Sequence, residues 1–124
     1  MTICSERPYL PDITVSSLVE LLQQRAASAP DCVAYRFLGD GETGESSITY
    51  GELNLRARSI ATSLQEMGAC GERALLLYPA GLAYIEAFFG CLYAGVIAVP
   101  AYPPRLNRNA QRLQTIATDA EASF

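Results

Sequence analysis

The sequence predicts an α/β fold in which a β-hairpin precedes a parallel strand-helix-strand unit, with helices on either side. Two capping boxes of the form Ser/Thr-x-x-Glu each open a stretch of helical periodicity. The span from Arg73 to Val99 alternates a short continuous apolar run, a helical pattern and a second short apolar run, which is the signature of a parallel unit.

Ser17-Leu-Val-Glu20 starts the first helix, and Leu18, Leu21, Leu22 and Ala26 recur at helical spacing until Pro30 ends it, giving a helix over about 17–28. Cys32 to Leu38 is rich in β-formers. A Gly/Asp/Glu loop and Ser47-Ile48-Thr49 follow it, so two antiparallel strands joined as a hairpin are expected. Thr49-Tyr-Gly-Glu52 then opens a second helix whose apolar face is Leu53, Ala57, Ile60, Ala61 and Leu64, with Gly68 as its stop.

Arg73 to Tyr78 reads as a strand covered on both faces, and Pro79 and Gly81 turn the chain out of it. Residues 82–94 form a helix with little polar face, expected to be buried nearly all round. Val96 to Val99 is the next strand, parallel to the first, with a right-handed crossover between them. A last helix carries Ala110, Leu113, Ile116, Ala117 and Ala120 on one face. A helix in that position normally returns the chain to another strand, which would begin where the sequence stops. The 124 residues are therefore expected to be one piece of a larger domain, with no internal boundary.

Composition removes several function classes. Half the residues are apolar and 18% are charged, as in a globular domain, and the net charge of −4 offers nothing to nucleic acid. All nine cations are arginine and histidine is absent, so the usual general bases and a lysine-dependent phosphate loop are missing. The four cysteines show no metal-binding spacing and are expected to be reduced and mostly buried; no metal site is expected. The uncharged stretch from Ala87 to Tyr102 is shorter than a membrane span of about 20 residues, and residues 1–12 lack the pattern of a secretory signal. A cytoplasmic location is the expectation.

Gly39-Asp-Gly41-Glu-Thr-Gly44 matches the dinucleotide string G-x-G-x-x-G, but a strand follows it where a helix would have to receive the pyrophosphate. Three acidic residues in and beside it repel phosphate, so it is read as a hairpin loop. The segment Ala98 to Arg105 is different. Its three prolines fix a stiff turn just beyond a parallel strand, at the edge of the sheet where ligands bind in open α/β folds. Tyr102 and Arg105 are the candidate substrate-pocket residues, and a rigid connector into the last helix is the competing reading. No catalytic, cofactor-binding or metal-binding residue is identified.

The run Ala74-Leu-Leu-Leu-Tyr-Pro-Ala-Gly-Leu, with Phe88-Phe89-Gly-Cys-Leu-Tyr-Ala-Gly-Val-Ile-Ala-Val-Pro-Ala-Tyr-Pro-Pro-Arg105, resembles the N-terminal subdomain of fatty acyl-AMP ligases, members of the adenylate-forming superfamily. Ile48-Thr-Tyr-Gly-Glu-Leu53 and Arg112-Leu-Gln-Thr-Ile116 support the resemblance, which covers nearly the whole chain. The phrase around Ala94 to Pro100 is shared across the superfamily, and the Ala-Tyr-Pro-Pro-Arg extension favours the fatty acyl-AMP ligases.

The resemblance implies that a full-length protein uses ATP and magnesium to turn a fatty acid into an acyl adenylate. The acyl group then passes to an acyl carrier protein feeding lipid or polyketide synthesis. The Ser/Thr/Gly-rich phosphate loop, the adenine motif, the ribose-binding aspartate and the catalytic lysine of such enzymes map to later sequence. This chain alone is thus expected to bind neither ATP nor magnesium and to be inactive, its partner being the remainder of the adenylation domain. A fragment of an acyl-CoA synthetase, of a peptide-synthetase adenylation domain, or a non-catalytic scaffold are the alternatives.

Overall fold

The computed structural model describes residues 14–39, 45–103 and 110–124, with the backbone alone at residue 110. Two compact units are present, residues 1–56 and 57–124.

In the first unit, helix α1 spans Leu18–Ser28. The Ser17 hydroxyl accepts from the Glu20 amide at 3.1 Å, satisfying one of the free amides of the first turn. The Glu20 carboxylate does not close the box onto Ser17. It accepts from the Ser16 amide and hydroxyl at 2.9 and 2.8 Å, and these bonds hold its pKa below the ordinary glutamate value. Strands β1 (Val33–Leu38) and β2 (Glu45–Thr49) pair antiparallel, with a bulge between Val33 and Tyr35. The dinucleotide-like string falls between them, and its residues 40–44 lie outside the described residues.

Helix α2 (Tyr50–Glu66) leaves β2 with no intervening loop. The second capping box makes this abrupt change possible: the Thr49 hydroxyl accepts from the Glu52 amide at 3.1 Å, and the Glu52 carboxylate accepts from the Thr49 hydroxyl and amide at 3.0 and 3.4 Å. Leu22, Cys32, Ile48 and Leu53 are the buried apolar residues of this unit, and Leu53 is wholly inaccessible.

In the second unit, α2 ends where the sequence places its stop. Gly68 is left-handed, its amide bonds Gln65 and the Ala69 amide bonds Leu64, which is a Schellman closure. Strand β3 (Arg73–Leu76), helix α3 (Leu82–Ala94) and strand β4 (Ile97–Pro100) follow, and β3 pairs parallel with β4 from Arg73↔Ile97 to Leu76↔Pro100. The Ile97 amide donates to the Glu72 carbonyl just before β3, and the Ala101 amide donates to the Leu76 carbonyl at its end. Pro100 therefore sits at an alternate position, where the ladder needs no donor.

Helix α3 was expected to be buried nearly all round, but burial is confined to its second half: Ala87, Cys91 and Ala94 pack with Ala61, Ala69, Ala74, Leu76 and Val96, Phe89 and Gly90 are also buried, and residues 82–86 are half-buried or exposed. It crosses α2 at Gly90, where an added methyl would stand 2.4 Å from the Ile60 Cγ2. The sheet differs from expectation on its second face. Ala74 and Leu76 are covered, but Ile97 is 50% exposed and Leu77 40%, because α3 packs on one face only.

Helix α4 (Ala110–Asp119) is followed by Glu121 in the left-handed region, and then by Ser123 and Phe124 alongside β3. The Phe124 amide donates to the Arg73 carbonyl at 3.3 Å, and the Leu75 amide donates to the Phe124 carbonyl at 2.8 Å. That alternation is the bond pattern of a parallel ladder, on the edge of β3 opposite β4. Arg73 and Glu121 add an ion pair at 3.8 Å.

Cys70 and Cys91 are free thiols, exposed and buried respectively. Cys32 is disulfide-bonded, which departs from the reduced state expected of it; closure depends on Cα separation and side-chain direction, which spacing in sequence does not reveal. Cys4 lies outside the described residues. Among the described residues no helix is long and apolar enough to cross a membrane.

Candidate substrate cleft

The second unit carries a cleft of about 480 Å³ at the carboxyl ends of its parallel strands. Three pieces of chain meet there. Tyr78 and Ala80 come from the turn that leaves β3, and Tyr84 from the first turn of α3. Pro100, Ala101 and Tyr102 continue from β4, and Arg112 and Ile116 come from α4, one helical turn apart.

Sheet order explains the location. From β3 the chain passes through α3 to β4 on one side, then through α4 to residues 123–124 on the other side of β3. Where successive connections leave a strand in opposite directions, a crevice opens beyond the strand's carboxyl end, and ligands bind in such crevices. The stiff geometry of Pro100 and Pro103 holds the backbone of Tyr102 at the rim, where its side chain is 81% exposed. Tyr84 is set more firmly, because its ring stacks on Phe88 one turn along α3, with centroids 6.4 Å apart and planes 12° from parallel.

Of the two pocket candidates from sequence, Tyr102 lines this cleft and Arg105 lies outside the described residues. Tyr78, Tyr84 and Arg112 were not anticipated. Tyr78 could have been, since it follows β3 as Tyr102 follows β4 and the same rule about strand ends applies to both. Arg112 carried no such signal, because its place on the polar side of α4 reads as solvated surface.

Among the described residues the lining offers three phenols and one guanidinium, with no carboxylate, thiol or imidazole. Such a set can bind and orient a ligand by hydrogen bonding, aromatic contact and charge. Among the described residues no three histidine, cysteine or acidic side chains cluster to hold a metal.

The AMP-binding enzyme family matches residues 22–124. The chain belongs to that family. Within it the chain is 51% identical over 111 residues to the medium-chain-fatty-acid–[acyl-carrier-protein] ligase JamA of Moorena producens, covering 87% of this chain and 19% of JamA. It is 35% identical over 111 residues to FadD21 of Mycobacterium tuberculosis, a putative fatty-acid–CoA ligase, with the same coverage of each. The fold agrees with a fatty acyl-adenylate ligase from Legionella pneumophila solved with acyl adenylate and pyrophosphate: TM-score 0.79 and 42% identity over 86% of this chain and 19% of that one. The expected N-terminal subdomain of a fatty acyl-AMP ligase is thus what the α/β architecture matches, and the chain spans about a fifth of the length of these relatives.

Proposed function

We propose that the chain is the N-terminal portion of a ligase that activates a fatty acid with ATP and delivers the acyl group to an acyl carrier protein. The observation that carries this reading is the 51% identity to a carrier-protein ligase, against 35% to a CoA ligase over the same length. In the first step a carboxylate oxygen of the acid bonds to the α-phosphorus of ATP and pyrophosphate leaves. In the second, a phosphopantetheine thiol bonds to the acyl carbon and AMP leaves. A free carboxylate is a poor acyl donor and the mixed anhydride a good one, so the chemistry turns on stabilising phosphate charge.

No residue of this chain is assigned to the triphosphate or to magnesium, given the lining described above. The cleft is read as one wall of the acid-binding region, with Tyr102 on its rim and Arg105 in the same connector. Lipid or polyketide synthesis in the cytoplasm is the setting that accompanies a carrier-protein acceptor.

The test joins residues 1–124 to the part of JamA that follows its matching segment, and measures acyl-adenylate formation and acyl transfer. The chimera is expected to form acyl adenylate and to load carrier protein in preference to coenzyme A, while the 124-residue chain alone releases no pyrophosphate. A folded chimera that forms no adenylate, or fatty-acid-dependent pyrophosphate release by the isolated chain, overturns the reading. Preferential transfer to coenzyme A would move the chain to the acyl-CoA synthetases.

A further inference from the structure

We propose that Arg112 is the anion anchor of the cleft, its guanidinium taking the carboxylate or phosphate of an organic anion whose apolar or aromatic body lies against Tyr84, Tyr102 and Ile116. The proposal rests on the reading of the cleft as a substrate wall and adds the residue that orients what enters it.

Charge complementarity comes first. The chain carries a net charge of −4, yet among the described residues the cleft lining holds one cation and no carboxylate. Among the described residues Arg36 pairs with Glu45 and Arg73 with Glu121, whereas Arg112 makes no ion pair. An unmatched guanidinium at the mouth of an aromatic cleft keeps its planar fork of donors available for two parallel bonds to a carboxylate or phosphate.

Shape is the second consideration. Arg112 and Ile116 lie one turn apart on α4, so a ligand held by the guanidinium has an apolar neighbour on the same helix. Across the cleft Tyr84 presents a ring already fixed by its stack on Phe88, so ordering it on binding costs little entropy. The first turn of α3 also contains no acidic residue, so no carboxylate there opposes an incoming anion. Tyrosine hydroxyls complete the site, since each can donate to the oxygens that the guanidinium leaves free.

Calorimetric titration of the protein with two matched pairs, octanoate against octanol and AMP against adenosine, tests the proposal. At least one anion is expected to bind about 10-fold more tightly than its neutral counterpart, equivalent to about 1.4 kcal/mol. Arg112→Gln should abolish that preference, and Arg112→Lys should keep part of it, because lysine retains the charge and loses the fork. The pair that responds identifies the source, a carboxylate or a nucleotide phosphate.

Equal binding of both members of both pairs overturns the proposal, and this comparison needs no variant. A preference that survives Arg112→Gln, with the unfolding midpoint unchanged, also overturns it. A preference confined to AMP supports the anchor while removing the fatty acid from this cleft. Adenylate formation by the chimera without any anion preference removes the anchor and leaves the ligase reading intact.

Discussion

Replacing Gly90 by alanine places one methyl group where the structure has no room. The new Cβ would stand 2.4 Å from the Ile60 Cγ2 and 2.7 Å from the Ile60 Cβ. Ile60 is β-branched and sits inside α2, so its side chain is held to essentially one rotamer and cannot swing aside. Forcing a methyl into a packed contact costs about 1–3 kcal/mol, and a clash with the branch point itself belongs at the upper end. Alanine also gains about 1 kcal/mol over glycine inside a helix. The difference is a net loss of about 2 kcal/mol, or a fall of about 8 °C in midpoint for a chain of this size. Thermal and urea unfolding followed by circular dichroism measure it. Ile60→Ala alone should cost about 2–5 kcal/mol through the cavity it leaves. In the Gly90→Ala background it should cost at least 1 kcal/mol less, since the new methyl occupies part of that space. A midpoint for Gly90→Ala that stays level or rises would refute the close crossing, because helix propensity would then be the larger effect.

Thr49→Ala removes both hydroxyl bonds of the capping box at the junction of β2 and α2, leaving only the bond from the residue-49 amide to Glu52, and should cost about 1 kcal/mol; Thr49→Ser should restore most of it, as read from urea midpoints. Stability should also fall at alkaline pH. Burial pushes the Cys91 thiol above its ordinary value, and burial does the same to the Tyr93 phenol, with Arg58 pulling the other way. A pKa raised by folding means the native state holds its proton longer. The contribution is complete below the unfolded thiol's pKa of about 8.5 and is lost as pH rises through the folded value. The stability gap between wild type and Cys91→Ala should therefore narrow above about pH 8.5, and parallel curves would exclude the thiol as the cause.

Local signals were legible where the chemistry is local. Thr49-Tyr-Gly-Glu52 announces a helix start, and Gly68 announces a helix stop, because a capping side chain or a left-handed glycine acts within one turn. The first capping box shows the limit of such reading. Ser16 and Ser17 are adjacent, and only the direction of the Glu20 side chain decides that the carboxylate bonds Ser16. Coverage of the sheet was harder still. The apolar run of β3 suits burial on both faces, but which face receives α3 is a property of the crossover and not of the run.

The cleft was half legible for a related reason. Tyr102 follows a parallel strand through a proline-stiffened turn, so strand-end logic finds it without knowing what lies opposite. Arg112 becomes a cleft residue only because α4 leads back across β3, and that reversal is visible in two hydrogen bonds, from the Phe124 amide to Arg73 and from the Leu75 amide to Phe124. Had the chain continued outward beyond β4 instead, α4 would have crossed beyond β4 and carried Arg112 away from Tyr78 and Tyr84. Sheet order thus converts an ordinary surface arginine into a cation of an aromatic cleft. Its effect on anion binding is therefore a test of topology as much as of chemistry.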